Sequence, residues 1–196
     1  SPAGGGRKNQ KETRMNNLTV ISPPDGEALS LDTAKAYLRI GHDGEDDLVT
    51  GLIASARARL EAETGLALVT RTVTRRFDRW PSGVTRTGMR LVPGPASALV
   101  SVETVDAEGA AQLYTARFAL SGGRLRLKPF VALPSIPPGG YADVTFVTGY
   151  GAAADVPEDL VQALKRLVLA AYRREAGEAL PEEVAAILAA RRERRI

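Results

Sequence analysis

The sequence predicts an α+β fold, an α-helical bundle with a β-strand module inserted between its second and third helices. Apolar residues recur at helical spacing in two segments near the start and two near the end. Between them, from residue 66 to 147, short β-branched and aromatic runs alternate with Gly and Pro. A chain of 196 residues and 20.8 kDa suits one domain, or one domain carrying a smaller inserted module.

Residues 1–14 are Gly-rich and polar and contain no large apolar residue. They read as a basic flexible leader ahead of a native start at Met15. Residues 15–65 form a helical pair. The first helix covers residues 31–40, with Ser30 as its cap, Asp32 in its first turn, and Leu31, Ala34 and Leu38 on one face. Gly41-His42-Asp43-Gly44 stops it. The second helix covers residues 45–64, with Leu48, Leu52, Ile53, Ala56 and Leu60 as its apolar set. Its first turn holds Glu45, Asp46 and Asp47, where the helix dipole favours acids, and Gly65 ends it.

Residues 66–150 form the β module. Strands are expected at 69–77, 89–92, 99–105, 112–118, 124–128 and 142–147. Asp106-Ala-Glu-Gly109 and Ser121-Gly-Gly123 read as hairpin turns, and Pro134 to Gly140 as a loop. Gly149 and Gly151, around Tyr150, make the turn from strand back into helix. Residues 151–196 hold the C-terminal helices that complete the bundle. Pro157 suits a first helical position, Leu160, Leu164, Leu167, Val168 and Ala171 form a stripe, and Gly177 stops it. Pro181 opens a last helix with Val184, Ile187 and Leu188 on its apolar face and a basic tail.

The formal net charge is +3 and the pI about 9.4, which raises the question of nucleic acid. The leader's four bases and one acid account for the excess, so the body is neutral overall. The body is nevertheless polarised. Residues 25–65 hold nine acids and four bases, residues 66–150 ten bases and five acids, and residues 151–196 eight of each. The opposed segments suit either complementary faces of subunits in a head-to-tail ring or separate solvated surfaces.

No residue stands in a catalytic context. The chain has no Cys, which excludes disulfides and thiolate chemistry, and its one His rules out a multi-histidine metal site. His42 reads as an exposed loop residue. Asp43, Glu45, Asp46 and Asp47 lack the ligand spacing of a Ca²⁺ loop and read as helix-start acids. There is no phosphate loop and no dinucleotide fingerprint, so no cofactor and no metal are expected. No apolar run approaches the ~20 residues that span a bilayer, and no membrane partner is expected.

Two basic groups remain. Arg71, Arg75 and Arg79 recur at period 2 with Val73 and Phe77, and Arg124 and Arg126 share a strand face with Lys128. On a channel wall or subunit contact, Arg71, Arg75, Arg124 and Arg126 would attract phosphates or acids without reading base sequence. On an ordinary sheet they are a solvated face. The C-terminal group has two readings as well. It is a frayed, solvated end, or a docking peptide in which Val184, Ile187 and Leu188 fill a groove while Arg191, Arg192, Arg194 and Arg195 meet acids on a partner.

Several segments together resemble a known family. These are Val20-Ile-Ser-Pro-Pro24, Leu29-Ser-Leu-Asp-Thr-Ala-Lys-Ala-Tyr-Leu-Arg-Ile40, His42-Asp-Gly-Glu-Asp-Asp-Leu48, Ile53-Ala-Ser-Ala-Arg57, Glu61-Ala-Glu-Thr-Gly65, and Val144-Thr-Phe-Val-Thr-Gly-Tyr-Gly151 with Val156-Pro-Glu-Asp-Leu160. Over residues 18–175 the chain resembles the head–tail connector, or adaptor, proteins of long-tailed phages and gene transfer agents. The resemblance implies a non-enzymatic adaptor in the virion neck, assembled in the bacterial cytoplasm. It implies a ring, usually dodecameric, of copies of the chain beneath the portal protein. That ring extends the DNA channel, touches translocating DNA nonspecifically and receives a tail-side stopper or head-closure protein. On the docking reading of the C-terminal group, its partner would be the portal, and deleting residues 181–196 is expected to abolish portal binding while sparing the fold. The opposing expectation is a nonspecific nucleic-acid-binding module.

Overall fold

The computed structural model describes residues 17–173 and 181–191. In chain order the strands and helices are β1 (Leu18–Ser22), α1 (Leu31–Leu38), α2 (Asp46–Thr64), β2 (Arg71–Phe77), β3 (Met89–Arg90), β4 (Ala96–Val105), β5 (Ala111–Leu113), β6 (Phe118–Ser121), β7 (Arg124–Leu127), β8 (Tyr141–Thr148), α3 (Glu158–Tyr172) and α4 (Glu182–Arg191). This is the mixed architecture expected, with β-structure between the second and third helices. The described residues divide into two compact units. The helical unit takes Pro24–Arg71, Arg90–Ala96 and the residues from Thr148 on; the β unit takes the residues up to Pro23, Thr72–Met89 and Ser97–Val147.

The helical unit is organised by caps and one apolar core. Ser30 Oγ accepts from Thr33 N–H at 3.2 Å, and Arg39 closes α1 in the left-handed region at φ 60°. Gly65, at φ 73°, ends α2 with its N–H on Glu61 O at 2.8 Å. The buried stripe of α2 is Val49, Ile53, Ala56 and Leu60, with Thr64 at its end. Leu48, expected in that stripe, is instead 54% exposed. The stripe meets Leu160, Ala163, Leu164, Leu167 and Val168 of α3 and Val184 and Leu188 of α4.

The β unit contains a five-stranded sheet in the order β1-β2-β8-β4-β5 and a three-stranded sheet in the order β3-β7-β6. Val73, Val102, Ala142, Val144 and Phe146 are all fully buried. Both expected hairpins form: β4 pairs with β5 across the Asp106 turn, and β6 with β7 across Gly122-Gly123. Asp106 Oδ1 accepts from Glu108 and Ala110 N–H at 3.1 and 2.8 Å, an Asx turn.

Two strand expectations are corrected. β1 was not expected; it pairs antiparallel with β2, with Val20 opposite Val73, and is exposed along its whole length. The run expected as one strand over 112–118 is broken by a 3₁₀ turn at Thr115–Arg117. Tyr114 N–H bonds Val102 O at 2.7 Å, and Thr115 Oγ1 then takes Val102 N–H at 2.9 Å. A side chain thus satisfies a ladder donor, and the backbone is free to turn.

Gly149 makes the strand-to-helix turn as expected. Its φ is 122°, and a Cβ there would lie 2.6 Å from Thr70 Cα and N. The close approach is held by Tyr150 N–H on Leu68 O at 3.1 Å and Thr70 N–H on Gly151 O at 2.8 Å. Gly149→Ala is expected to destabilise the protein by about 3 kcal/mol or more, combining backbone strain with a clash against main chain. Chemical denaturation reads this out, and an unchanged midpoint would contradict it.

Candidate functional site

The β unit carries the expected basic surface, and its arginines are seated. Arg124 and Arg126 flank the buried Leu125 on β7. Arg124 Nη1 donates to Gly88 O at 3.0 Å, and a Cβ at residue 88 would lie 2.6 Å from Arg126 Cγ. The absence of a side chain at Gly88 is therefore what lets both arginine stems lie down against the chain. Arg75, on β2, stands with its guanidinium 5.5 Å from the Phe77 ring centroid. Together with Asn17, Arg76, Asp78 and Arg79 these two residues line a shallow depression.

Arg76 is the residue that sequence reasoning missed. It makes a bidentate pair with Asp143, both contacts at 2.9 Å, and lies 3.4 Å from the centroid of the Tyr141 ring. The Asp143 hydrogen bond raises its pKa above the usual guanidinium value. Arg76 falls between the period-2 arginines, on the opposite strand face. Only pairing with β8 reveals its partner.

Arg71 belongs to the helical unit. Its guanidinium side chain is 10% exposed and is bound by Glu61, with Nη1 on Oε2 at 3.1 Å and Nη2 on Oε1. Glu61 also accepts from Arg57 Nη1 at 3.3 Å and from Leu68 N–H at 3.0 Å. Arg71 thus ties α2 to the start of β2 within that unit. The period-2 pattern places it beside Arg75 and Arg79, but its side chain is already committed.

The C-terminal helix differs from the expected docking peptide in the same way. Val184 is 0% and Leu188 2% exposed, and Ile187 packs against the same core. The groove they fill is the chain's own, formed with α2 and α3. Deleting residues 181–196 therefore opens that core rather than sparing the fold. Arg191 forms a bidentate pair with Asp159 at 2.8 and 2.9 Å. Arg192, Arg194 and Arg195, like residues 1–14, lie outside the described residues.

The acids at the start of α2 are mostly employed locally. Lys35 Nζ donates to Asp43 Oδ1 at 2.7 Å and to Asp46 Oδ1 at 2.6 Å, while Tyr172 OH donates to Glu45 at 2.7 Å. Asp47 and Leu48 stay exposed. The Lys35 hydrogen bond holds the Asp43 carboxyl below its ordinary value of 3.8. A depressed carboxyl stabilises the fold above its unfolded pKa, and that contribution is lost as pH falls through the folded one. Acid unfolding between pH 4 and 2 should therefore be less steep in Lys35→Met than in the parent; superimposable acid limbs would contradict this. Among the described residues no group of His, Asp and Glu could hold a metal ion, and no helix is long and apolar enough to cross a membrane.

Residues 28–117 match the family described as Phage gp6-like head-tail connector protein. A chain in the virion of a native gene transfer agent (GTA) particle superposes with a TM-score of 0.76 at 27% identity, covering 91% of this chain and 96% of that one. This chain is similar to head–tail connector proteins. Two further matches come from necks. One is the neck of an empty GTA particle computed with C6 symmetry, at TM-score 0.74 and 27% identity. The other is the neck of a native GTA particle computed with C12 symmetry, at 0.71 and 26%, and each match covers 91% of this chain and 96% of the other. No curated protein matches the sequence. The connector's role is structural, as a neck component of a phage or phage-like particle.

Proposed function

We propose that the connector forms a ring, dodecameric in the assembled neck, between the portal protein and a tail-side stopper or head-closure protein, and that this ring extends the DNA channel. The observation that carries this reading is the near end-to-end match to a chain of a GTA neck computed with C12 symmetry, 91% of this chain against 96% of that one. A ring subunit needs two different faces that meet by rotation, and the acid-rich residues 25–65 and base-rich residues 66–150 supply opposite charge. Portal docking is assigned to the terminal arginines Arg192, Arg194 and Arg195. Arg75, Arg124 and Arg126 serve the channel wall or the contact between copies. Assembly takes place in the bacterial cytoplasm, before the particle leaves the cell.

Cryo-electron microscopy of the particle's neck tests the ring: twelve copies between portal and next neck protein are expected, and any other position or symmetry refutes it. DNA binding separates the opposing expectation. A channel subunit should bind free duplex weakly at physiological salt. Tight binding whose logarithm falls steeply with the logarithm of salt would instead mark a nucleic-acid-binding module.

A further inference from the structure

Phe130 is the most exposed large apolar residue described, at 108% of its reference area. It sits at φ 61°, a left-handed conformation that costs a bulky residue strain and that nothing in its own side-chain packing repays. The loop behind it is nonetheless fastened. Lys128 N–H bonds Arg117 O at 2.9 Å, Arg117 Nη1 bonds Ala132 O at 3.1 Å, and Trp80 Nε1 bonds Pro134 O at 2.7 Å. A fastened loop that holds an aromatic in water has the form of an anchor awaiting a pocket. Its surroundings are cationic: residues 109–142 contain Arg117, Arg124, Arg126 and Lys128 and no acid.

The opposite chemistry stands on α2. Leu48 is 54% exposed beside the exposed Asp47. One turn on is Gly51, exposed in mid-helix, where an added Cβ would meet nothing within 4 Å. Glycine destabilises a helix interior relative to alanine, and here no neighbour in the chain requires it. Leu48 and Gly51 are three residues apart, hence on one helix face, and together make an apolar ledge with a notch next to acids.

We infer that Phe130 of one copy seats on the Leu48–Gly51 notch of the next copy, with Lys128 and its neighbouring arginines facing Asp47 and the acidic start of α2. The occupant is a second copy because one chain carries both halves of a charge-complementary apolar pair, and two different patches that meet make the heterologous contact a ring requires. This rests on the ring reading above.

The absence of cysteine makes a direct test clean. The full chain carrying Phe130→Cys and Leu48→Cys is oxidised, alone and together with the portal protein of its particle, and rings are scored separately by electron microscopy. A ladder of crosslinked multiples that neither single variant yields is the expected result. Phe130→Ala should weaken self-association at least about tenfold. Gly51→Gln should raise the thermal midpoint, by restoring a good helix former, yet weaken association to a similar degree. Rings that form without a ladder, or that Phe130→Ala and Gly51→Gln leave intact, overturn this contact and leave the ring standing. No rings under either condition overturns both.

Discussion

A connector ending at Arg191 is expected to fold with unchanged stability and to lose portal binding by at least about tenfold, whereas one ending at residue 180 is expected to lose the fold of its helical unit. The difference lies in where α4 spends its side chains. Val184 and Leu188 are buried against α2 and α3, and Arg191 is paired with Asp159 on α3. Burial of a Val or Leu side chain is worth about 1.5–3 kcal/mol each, and removing the helix also exposes the faces it covered. That loss, on the order of 5 kcal/mol, rivals the whole stability of a typical domain. Residues 192–196 contribute charge and no large apolar side chain except Ile196. Circular dichroism and a portal pull-down on both truncations check the pair of outcomes. Full portal binding by the chain ending at Arg191 would remove the terminal arginines from the docking role.

Glu61→Gln is expected to cost about 3–5 kcal/mol, the range for breaking a buried charge pair from one side. Glu61 and Arg71 are 13% and 10% exposed, and one carboxylate serves Arg57, Arg71 and the Leu68 N–H together. The amide retains one acceptor and turns its NH₂ toward a guanidinium, donor against donor. Arg71→Met should cost less, since methionine fills the space of the arginine stem and carries no charge. Combining the two should cost clearly less than their sum, because the second change removes the charge stranded by the first. Urea midpoints of the four proteins measure this cycle, and strict additivity would mean that the pair is not coupled.

The helices were legible in the sequence because their signals are local. Ser30, Gly65 and Pro157 mark termini through groups within one turn, and the structure places helix ends beside each. The slip at Leu48 is equally physical. The series 48, 52, 56, 60 and 49, 53, 56, 60 both fit a helical period, and only the partner helix decides which faces the core. β1 escaped because its pairing with β2 joins residues far apart in sequence and its residues are exposed on both faces. Arg71 and Arg76 show the same limit for the site. The spacing of Arg71 suggested a surface and Arg76 fell outside the pattern, while the chemistry of the two is set by Glu61 and by Asp143, partners that no short window contains. The docking residues divided likewise: the apolar triplet was read correctly as one face, but the face belongs to the chain's own core.

That core is drawn from both ends of the chain: Leu29 and Val184 lie in one cluster. During synthesis the helical unit therefore stays open until α4 has left the ribosome, and contacts of such long range close late. The arginine run follows directly behind the helix that closes it. A subunit cut ahead of Val184 thus leaves that core open and lacks the arginines as well, whereas one cut after Arg191 closes the core without them.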